Sequence, residues 1–320
     1  MPTMRAAFAS RFDDTDPLAA LAVGERPEPT HPADDWVTVE VRASSLNHHD
    51  LWSLRGVGLT EAQLPMVLGC DAVGVDPEGR EVVVYPIVPT PGDPRGSSIL
   101  SEYFPGTLAE RVAVPRANLV PLPDGLSPAD AACLPTAWLT AWRMLTTKGR
   151  LDEADSVLVQ GAGGGVSTAA VVLAAAMGKR VYATSRDAGK RERIAALGAT
   201  GVEPGARLPE RVNVVIETVG AATFDHSLKS AAPGARIVVS GATAGHEPKV
   251  NLRRVFAMQL EILGTSMGTP GELYDLLAFC AERQVRPVVD SVVPFSKVEE
   301  AFARLHSGEA FGKIVIDHTA

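Results

Sequence analysis

Apolar residues change rhythm part-way along the chain. In the first third they come in short alternating runs. Residues 4–9 predict a strand, and residues 36–42 (WVTVEVR) place Val37, Val39 and Val41 on one face of a half-buried strand. Residues 69–84 (GCDAVGVDPEGREVVV) predict a hairpin. Its turn, Asp76-Pro77-Glu78-Gly79, has Asp, Pro and Gly where a type I turn wants them. Residues 85–106 are rich in Pro, Gly and Ser and predict an irregular loop. Many short strands so punctuated predict a small barrel-like domain.

The composition shifts near residues 121–125. Ser127-Pro128-Ala129-Asp130 then predicts a helix start, with Ser as cap, Pro in the first turn and Asp complementing the dipole. Helical sequence runs on to about Thr147. From Ser156 near-continuous apolar runs alternate with helical ones. Strands are predicted at 157–159, 180–184, 212–217, 235–240 and 260–266. Helices are predicted at about 166–177, 187–197 (closed by Gly198) and 270–283. A strand at 290–293, a helix near 297–306 and a strand at 313–316 end the chain. Apolar strands separated by helices imply a parallel sheet covered on both faces.

The central stretch, SVLVQGAGGGVSTAAVVLAAAMG at 156–178, reads as strand, glycine-rich turn and helix. Such a turn gathers free backbone N–H groups at the positive end of a helix dipole, which suits a phosphate. Glycine lets the backbone approach a pyrophosphate. The same run is also compatible with an ordinary tight corner between strand and helix.

Composition narrows the partners. The chain has 320 residues, enough for two domains, with 46% hydrophobic and 21% charged residues, as in a globular protein. A net charge of −8 argues against nucleic acid or an anionic membrane as partner. Cys70, Cys133 and Cys280 form no CxxC pair and no disulfide framework, as expected in a reducing compartment. The N-terminal stretch lacks a signal-peptide core, and the longest apolar run is too short to span a bilayer. The expected location is cytoplasmic.

The order of a β-rich front, VLVQGAGGGVSTAAVVLAAAMGKRVYATSRDAGKRERIAALGAT in the middle and FGKIVI near the end resembles the medium-chain dehydrogenase/reductase superfamily. Within it the chain is most similar to the zinc-independent quinone oxidoreductase (zeta-crystallin-like) branch. The resemblance implies an α/β architecture: a GroES-like β-rich catalytic domain from 1–126 and 269–320, and a Rossmann doubly wound parallel-sheet domain from 127–268. In the turn, the family's small residue and two glycines fall on Ala162, Gly164 and Ser167. The last position serves close helix–strand packing, so Ser167 is expected to bring modest strain without loss of the site.

The zinc-dependent branch carries a catalytic zinc on Cys, His and Cys. Those positions fall here on Asn47, on the Gly69-Cys70-Asp71 segment and on Thr136, and the four-cysteine structural lobe is absent. Asn and Thr are poor zinc ligands, so no metal is expected. His48, His49 and Cys70 would attract a metal only if they converged, and adjacent histidines on a strand point opposite ways. Without a Lewis acid, the compatible chemistry is hydride transfer to an already activated acceptor, a quinone or an α,β-unsaturated carbonyl. Candidate groups at the reacting centre are Asn47, Asp50 and Thr136, whose alternative roles are turns and caps. Trp52 stands where quinone reductases often have Tyr; indole stacks on a flat substrate but offers no phenolic proton.

The resemblance also implies a nicotinamide nucleotide held by Gly161, Ala162, Gly163, Gly164, Gly165 and Val166, by Val219 and Gly220, and by Ser240, Gly241 and Ala242. Gly264, Thr265, Ser266 and Met267, and then Phe311, Gly312 and Lys313, complete that set. NADPH is the expected cofactor. Thr184 stands where NAD-binding units carry an acid, and Ser185, Arg186, Lys190 and Arg191 follow. A carboxylate would repel a 2′-phosphate, which a guanidinium clamps. Asp187 is expected to cap the next helix; the alternative is that the cations form only a solvated face. Relatives pair the strand at 260–266 across a two-fold axis, implying a homodimer. The leading expectation is therefore an NADPH-dependent reductase of a quinone or activated alkene. A zinc-type alcohol/carbonyl dehydrogenase and a nucleotide-binding protein with a structural or regulatory role are the alternatives.

Overall fold

The computed structural model describes residues 2–320. Two compact units divide the chain. The first takes residues up to Thr136 together with Leu273–Gln284 and Val289–Ala320; the second takes Ala137–Glu272 with Val285–Val288. The division follows Thr136 and Glu272, where the sequence suggested 126 and 268. The short helix Pro128–Ala131 explains the first difference, because it packs on the strands Trp36–Ser45 and Asp71–Val75 of the first unit. Ser127 caps it by accepting from Asp130 N at 3.1 Å, as its sequence required.

In the first unit the strand Trp36–Ser45 is central. It pairs antiparallel with Asp71–Val75, with Lys313–Asp317 and, along its N-terminal half, with Arg111–Pro115. The hairpin of Asp71–Val75 and Glu81–Val84 forms around the expected turn, with Gly79 N donating to Asp76 O at 2.9 Å. Residues 85–106 are not wholly irregular: Ile87–Pro89 and Ser97–Ile99 pair as a small antiparallel hairpin. Leu46, Leu51, Leu54, Leu68 and Leu108 share one core with Phe295, Phe302, Ile314 and Ile316 from the chain's end. The C-terminal segment thus returns because the N-terminal third alone cannot close its core. Its helix Val298–Ser307 buries Val298, Ala301, Phe302 and Leu305, one face at helical spacing. His48 and His49 lie in a helix, His48–Leu54, and not on a strand. Asn47, extended at φ −128° and ψ 157°, is the N-cap of that helix.

The second unit holds a six-stranded, all-parallel sheet. Its spatial order is Thr200–Val202, Arg180–Thr184, Ser156–Val159, Val212–Glu217, Ala231–Val239 and Glu261–Gly264. The chain runs outward from Ser156–Val159 to one edge, then returns to build the other half. The strand order reverses beside Ser156–Val159, and at the C-terminal strand ends of such a switch point sheets of this kind bind ligands. Leu158, Val215, Ile237, Phe224 and Leu228 belong to the buried core beneath. All three cysteines are free and buried. Among the described residues no helix is long and apolar enough to cross a membrane.

Candidate functional site

The glycine-rich turn of the second unit leads from Ser156–Val159 into the helix Gly165–Ala176. Gly161 sits at φ +67°, and a Cβ there would lie 2.4 Å from Val219 Cγ2, so only glycine fits. Gly161 N and Ala162 N donate to Thr184 Oγ1 at 2.9 Å and to Thr184 O at 2.7 Å. Gly163 N donates to Ser167 Oγ at 3.2 Å, and that hydroxyl lies 3.1 Å from Gly164 O. Ser167 therefore ties the turn to its helix, where modest strain was expected. Gly164 caps the helix, and the first-turn N–H groups of Gly165 and Val166 have no carbonyl behind them to bond. These residues fit the pyrophosphate of a dinucleotide.

Beside the turn, one expectation fails. The Thr184 hydroxyl, expected to meet a 2′-phosphate, is fully buried and donates to Gln160 Oε1 at 2.8 Å. Ser185 is buried, and its hydroxyl accepts from Asp187 N at 3.3 Å. Asp187 caps the helix Ala188–Ala196, accepting from Lys190 N at 2.7 Å. Arg186 is exposed and Lys190 half-buried, one helical turn apart. Arg191 is no solvated cation: its guanidinium donates to Ser185 O at 2.8 Å, Arg186 O at 3.1 Å and Glu203 Oε1 at 3.1 Å. It holds the backbone that carries Arg186.

The other strand ends of this unit are built on Glu217, which ends the run VNVVIE fully buried. Its carboxylate accepts from Val219 N at 2.9 Å, Gly220 N at 3.0 Å, Thr223 Oγ1 at 2.9 Å and Ser227 Oγ at 2.6 Å. Gln160 Nε2 donates to the same Ser227 hydroxyl at 3.0 Å, joining the network to Thr184. Ser240 N donates to Glu217 O at 3.1 Å, and Gly241 and Ala242 follow half-buried. Thr265 N donates to Val239 O at 3.0 Å, while its buried hydroxyl has no hydrogen-bond partner among the described residues. Gly264 and Ser266 are exposed; Met267 is buried at φ +50°, its sulfur accepting from Thr140 Oγ1 at 3.7 Å.

The first unit holds a separate polar cluster. Asp71 is fully buried, and its Oδ2 accepts from Ser45 Oγ at 2.7 Å, Asn47 Nδ2 at 2.8 Å and Lys313 Nζ at 3.2 Å. Lys313, only 2% exposed, also donates to Leu46 O at 2.6 Å and Asn47 Oδ1 at 2.7 Å. Its ammonium, expected beside the nucleotide, is therefore fully engaged here. Phe311 is likewise a core residue, buried with its N–H on Asp290 Oδ1 at 3.0 Å, and Gly312 turns at φ +100°. Asp50, expected at the reacting centre, is a cap: its oxygens accept from Asn47 N at 2.8 Å and Gly69 N at 2.9 Å. Burial holds its carboxyl above the ordinary aspartate value. Thr136 lies half-buried in the wide helical turn Leu134–Trp138, and Trp52 is 40% exposed on the helix His48–Leu54. His48, which follows Asn47, is exposed.

Comparison with known proteins gives this geometry its context. A zinc-type alcohol dehydrogenase-like protein of Schizosaccharomyces pombe is 30% identical over 91% of this chain and 93% of its own length. The chain belongs to the medium-chain dehydrogenase/reductase superfamily. The family model for the alcohol dehydrogenase GroES-like domain matches residues 33–124, and that for zinc-binding dehydrogenases matches 192–316. An acryloyl-coenzyme A reductase of Metallosphaera sedula is 30% identical over 89% of this chain and 93% of its own. The crystal structure of an NAD-dependent alcohol dehydrogenase superposes with a TM-score of 0.87 at 34% identity, covering 98% and 99% of the two chains. This member of the superfamily is an NAD(P)-dependent oxidoreductase with a GroES-like unit and a Rossmann unit.

The superfamily implies a metal for many members, and the residues present do not suit one. The Asn47 amide is bound at both ends, its Oδ1 to an ammonium that already supplies a positive charge. The Cys70 thiol donates to Leu100 O at 3.5 Å, and burial, reinforced by Asp50 and Asp71, pushes it well above the usual range. A thiol held protonated is a poor ligand. Among the described residues no group of three His, Cys, Asp or Glu is arranged to hold a metal. Sequence reading missed Glu217, Gln160 and the contacts of Lys313 with Asn47 and Asp71. The signal for Glu217 was a charge closing an apolar strand; for Lys313 no local signal existed, since Asp71 lies far away in sequence.

Proposed function

We propose that the chain is an NADPH-dependent reductase of activated alkenes, the α,β-unsaturated carbonyl compounds, with quinones as the related acceptor class. The carrying observation is the donor set of the first unit. Asn47 offers an amide N–H beside a neutral ion pair, and no Lewis acid fits. Such a site suits an acceptor whose own conjugation delocalises charge onto oxygen. The bound nicotinamide would supply the hydride. Gly164, Gly165 and Val166 would hold its pyrophosphate, and the Glu217-anchored turn at Val219 and Gly220 the neighbouring part. Arg186 would take the 2′-phosphate. In the reaction, hydride adds to the β-carbon, the electron pair moves onto the carbonyl oxygen, and a proton from water completes the α-carbon. Asn47 Nδ2 stabilises the developing oxygen charge. Trp52 provides an exposed flat surface for a conjugated substrate.

The acryloyl-coenzyme A reductase named above supports an unsaturated carbonyl over a quinone. The relatives named for alcohols favour a second reading, dehydrogenation of a simple alcohol, which the absence of a metal-suited donor set opposes. A homodimer through the edge strand Glu261–Gly264 completes the proposal. That strand and its neighbouring helix expose Ile262, Leu252 and Phe256. The test is loss of NADPH absorbance with enones, enoyl thioesters, quinones and simple ketones. Turnover of ketones alone, or of none, refutes the proposal.

A further inference from the structure

We propose that Lys313 is a positioning residue whose ammonium fixes the Asn47 amide so that Nδ2–H faces the substrate oxygen. This inference rests on the reductase reading above. At the position where zinc-dependent members carry their first ligand, Asn47 here meets an internal cation. Lys313 directs its three donors to Leu46 O, Asn47 Oδ1 and Asp71 Oδ2, a complete set for an ammonium. Only 2% and 0% exposed, Lys313 and Asp71 form a pair whose charges cancel, as burial requires.

The consequence falls on Asn47. Its oxygen meets the ammonium and its nitrogen meets the carboxylate, at 2.7 and 2.8 Å. A flipped amide would set NH₂ against NH₃⁺ and oxygen against carboxylate, so one orientation alone is compatible. One Nδ2 hydrogen goes to Asp71. For the other, the acceptor in the first unit is Ser45 O at 3.5 Å, at the limit of a hydrogen bond. That hydrogen is the one a substrate oxygen takes up. The same ammonium polarises the amide through Oδ1, strengthening Nδ2–H as a donor. Backbone geometry supports the placement: Asn47 N is itself held by Asp50, at 2.8 Å, so the whole residue is fixed.

The experiment is a kinetic cycle. Asn47→Ala is expected to lower kcat about 100-fold, as for loss of one oxyanion donor, with KM for NADPH nearly unchanged. The joint exchange Lys313→Met with Asp71→Leu removes both charges and should lower kcat at least about tenfold, and cost nothing further once Asn47 is alanine. Should the exchanged pair fail to fold, Lys313→Arg keeps the charge beside Asp71 and carries the same non-additivity test. NADPH binding by fluorescence reports folding of each variant independently of turnover. Equal losses from the Lys313 exchange with and without Asn47 overturn the inference, and so does an unchanged kcat in Asn47→Ala. A wild-type protein that reduces no enone refutes the reductase reading instead, which separates the two failures.

Discussion

Glu217→Ala is expected to loosen the nucleotide-side strand ends. The carboxylate accepts four donors, two backbone N–H groups of Val219 and Gly220 and the hydroxyls of Thr223 and Ser227. The hydroxyls can turn: Thr223 Oγ1 already lies 3.4 Å from Gly220 O. The two N–H groups are fixed by the backbone, and each left unmade in a buried place costs about 1–3 kcal/mol. Adding the cavity left by a fully buried side chain brings the loss to about 4 kcal/mol, or a fall in Tm of about 10 °C. Glu217→Gln keeps one acceptor oxygen and should lose about half as much. Urea denaturation followed by tryptophan fluorescence measures both. NADPH titration of the folded Glu217→Gln protein should show about tenfold weaker binding, about 1.4 kcal/mol, because the Val219–Gly220 turn relaxes. A Glu217→Ala protein within about 1 kcal/mol of wild type would refute the assignment of Glu217 as the anchor of that turn.

Arg186→Ala should weaken NADPH roughly tenfold or more, from loss of a charged contact worth about 1.5–3 kcal/mol, and leave NADH unchanged; equal losses for both count against the 2′-phosphate assignment. Elemental analysis of untagged protein should find no stoichiometric zinc, and chelator should leave activity intact; activity lost to chelator and restored by zinc refutes this. Light scattering at micromolar concentration should give twice the chain mass, and Leu252→Asp with Phe256→Asp should give the monomer. Asp290 is paired with Arg304, whose hydrogen bonds hold its carboxyl below the usual aspartate range. A depressed acid contributes stability above its unfolded value and loses it as pH falls through the folded one. Asp290→Asn should therefore destabilise by about 1–2 kcal/mol at pH 7, a difference that fades below about pH 4.

What was legible in the sequence was periodic or local. Alternation in 36–42, the apolar runs at 157–159 and 212–217, and the capping residues Ser127 and Asp187 each act within a few residues, so these strands, these helix starts and the parallel sheet could be read directly. Gly161 too was readable, because a strand-to-helix turn asks for glycine wherever it occurs. What tertiary structure decided was the fate of polar side chains. Thr184 turned inward to Gln160, Asp50 became a cap for Asn47, and Lys313 crossed to Asp71 and Asn47 from the far end of the chain. Whether a hydroxyl or an ammonium meets a ligand or another residue depends on which partners folding brings within about 3 Å. For Lys313 those partners are set by the pairing of Lys313–Asp317 with Trp36–Ser45, a register that hydrophobic burial selects and no local pattern records.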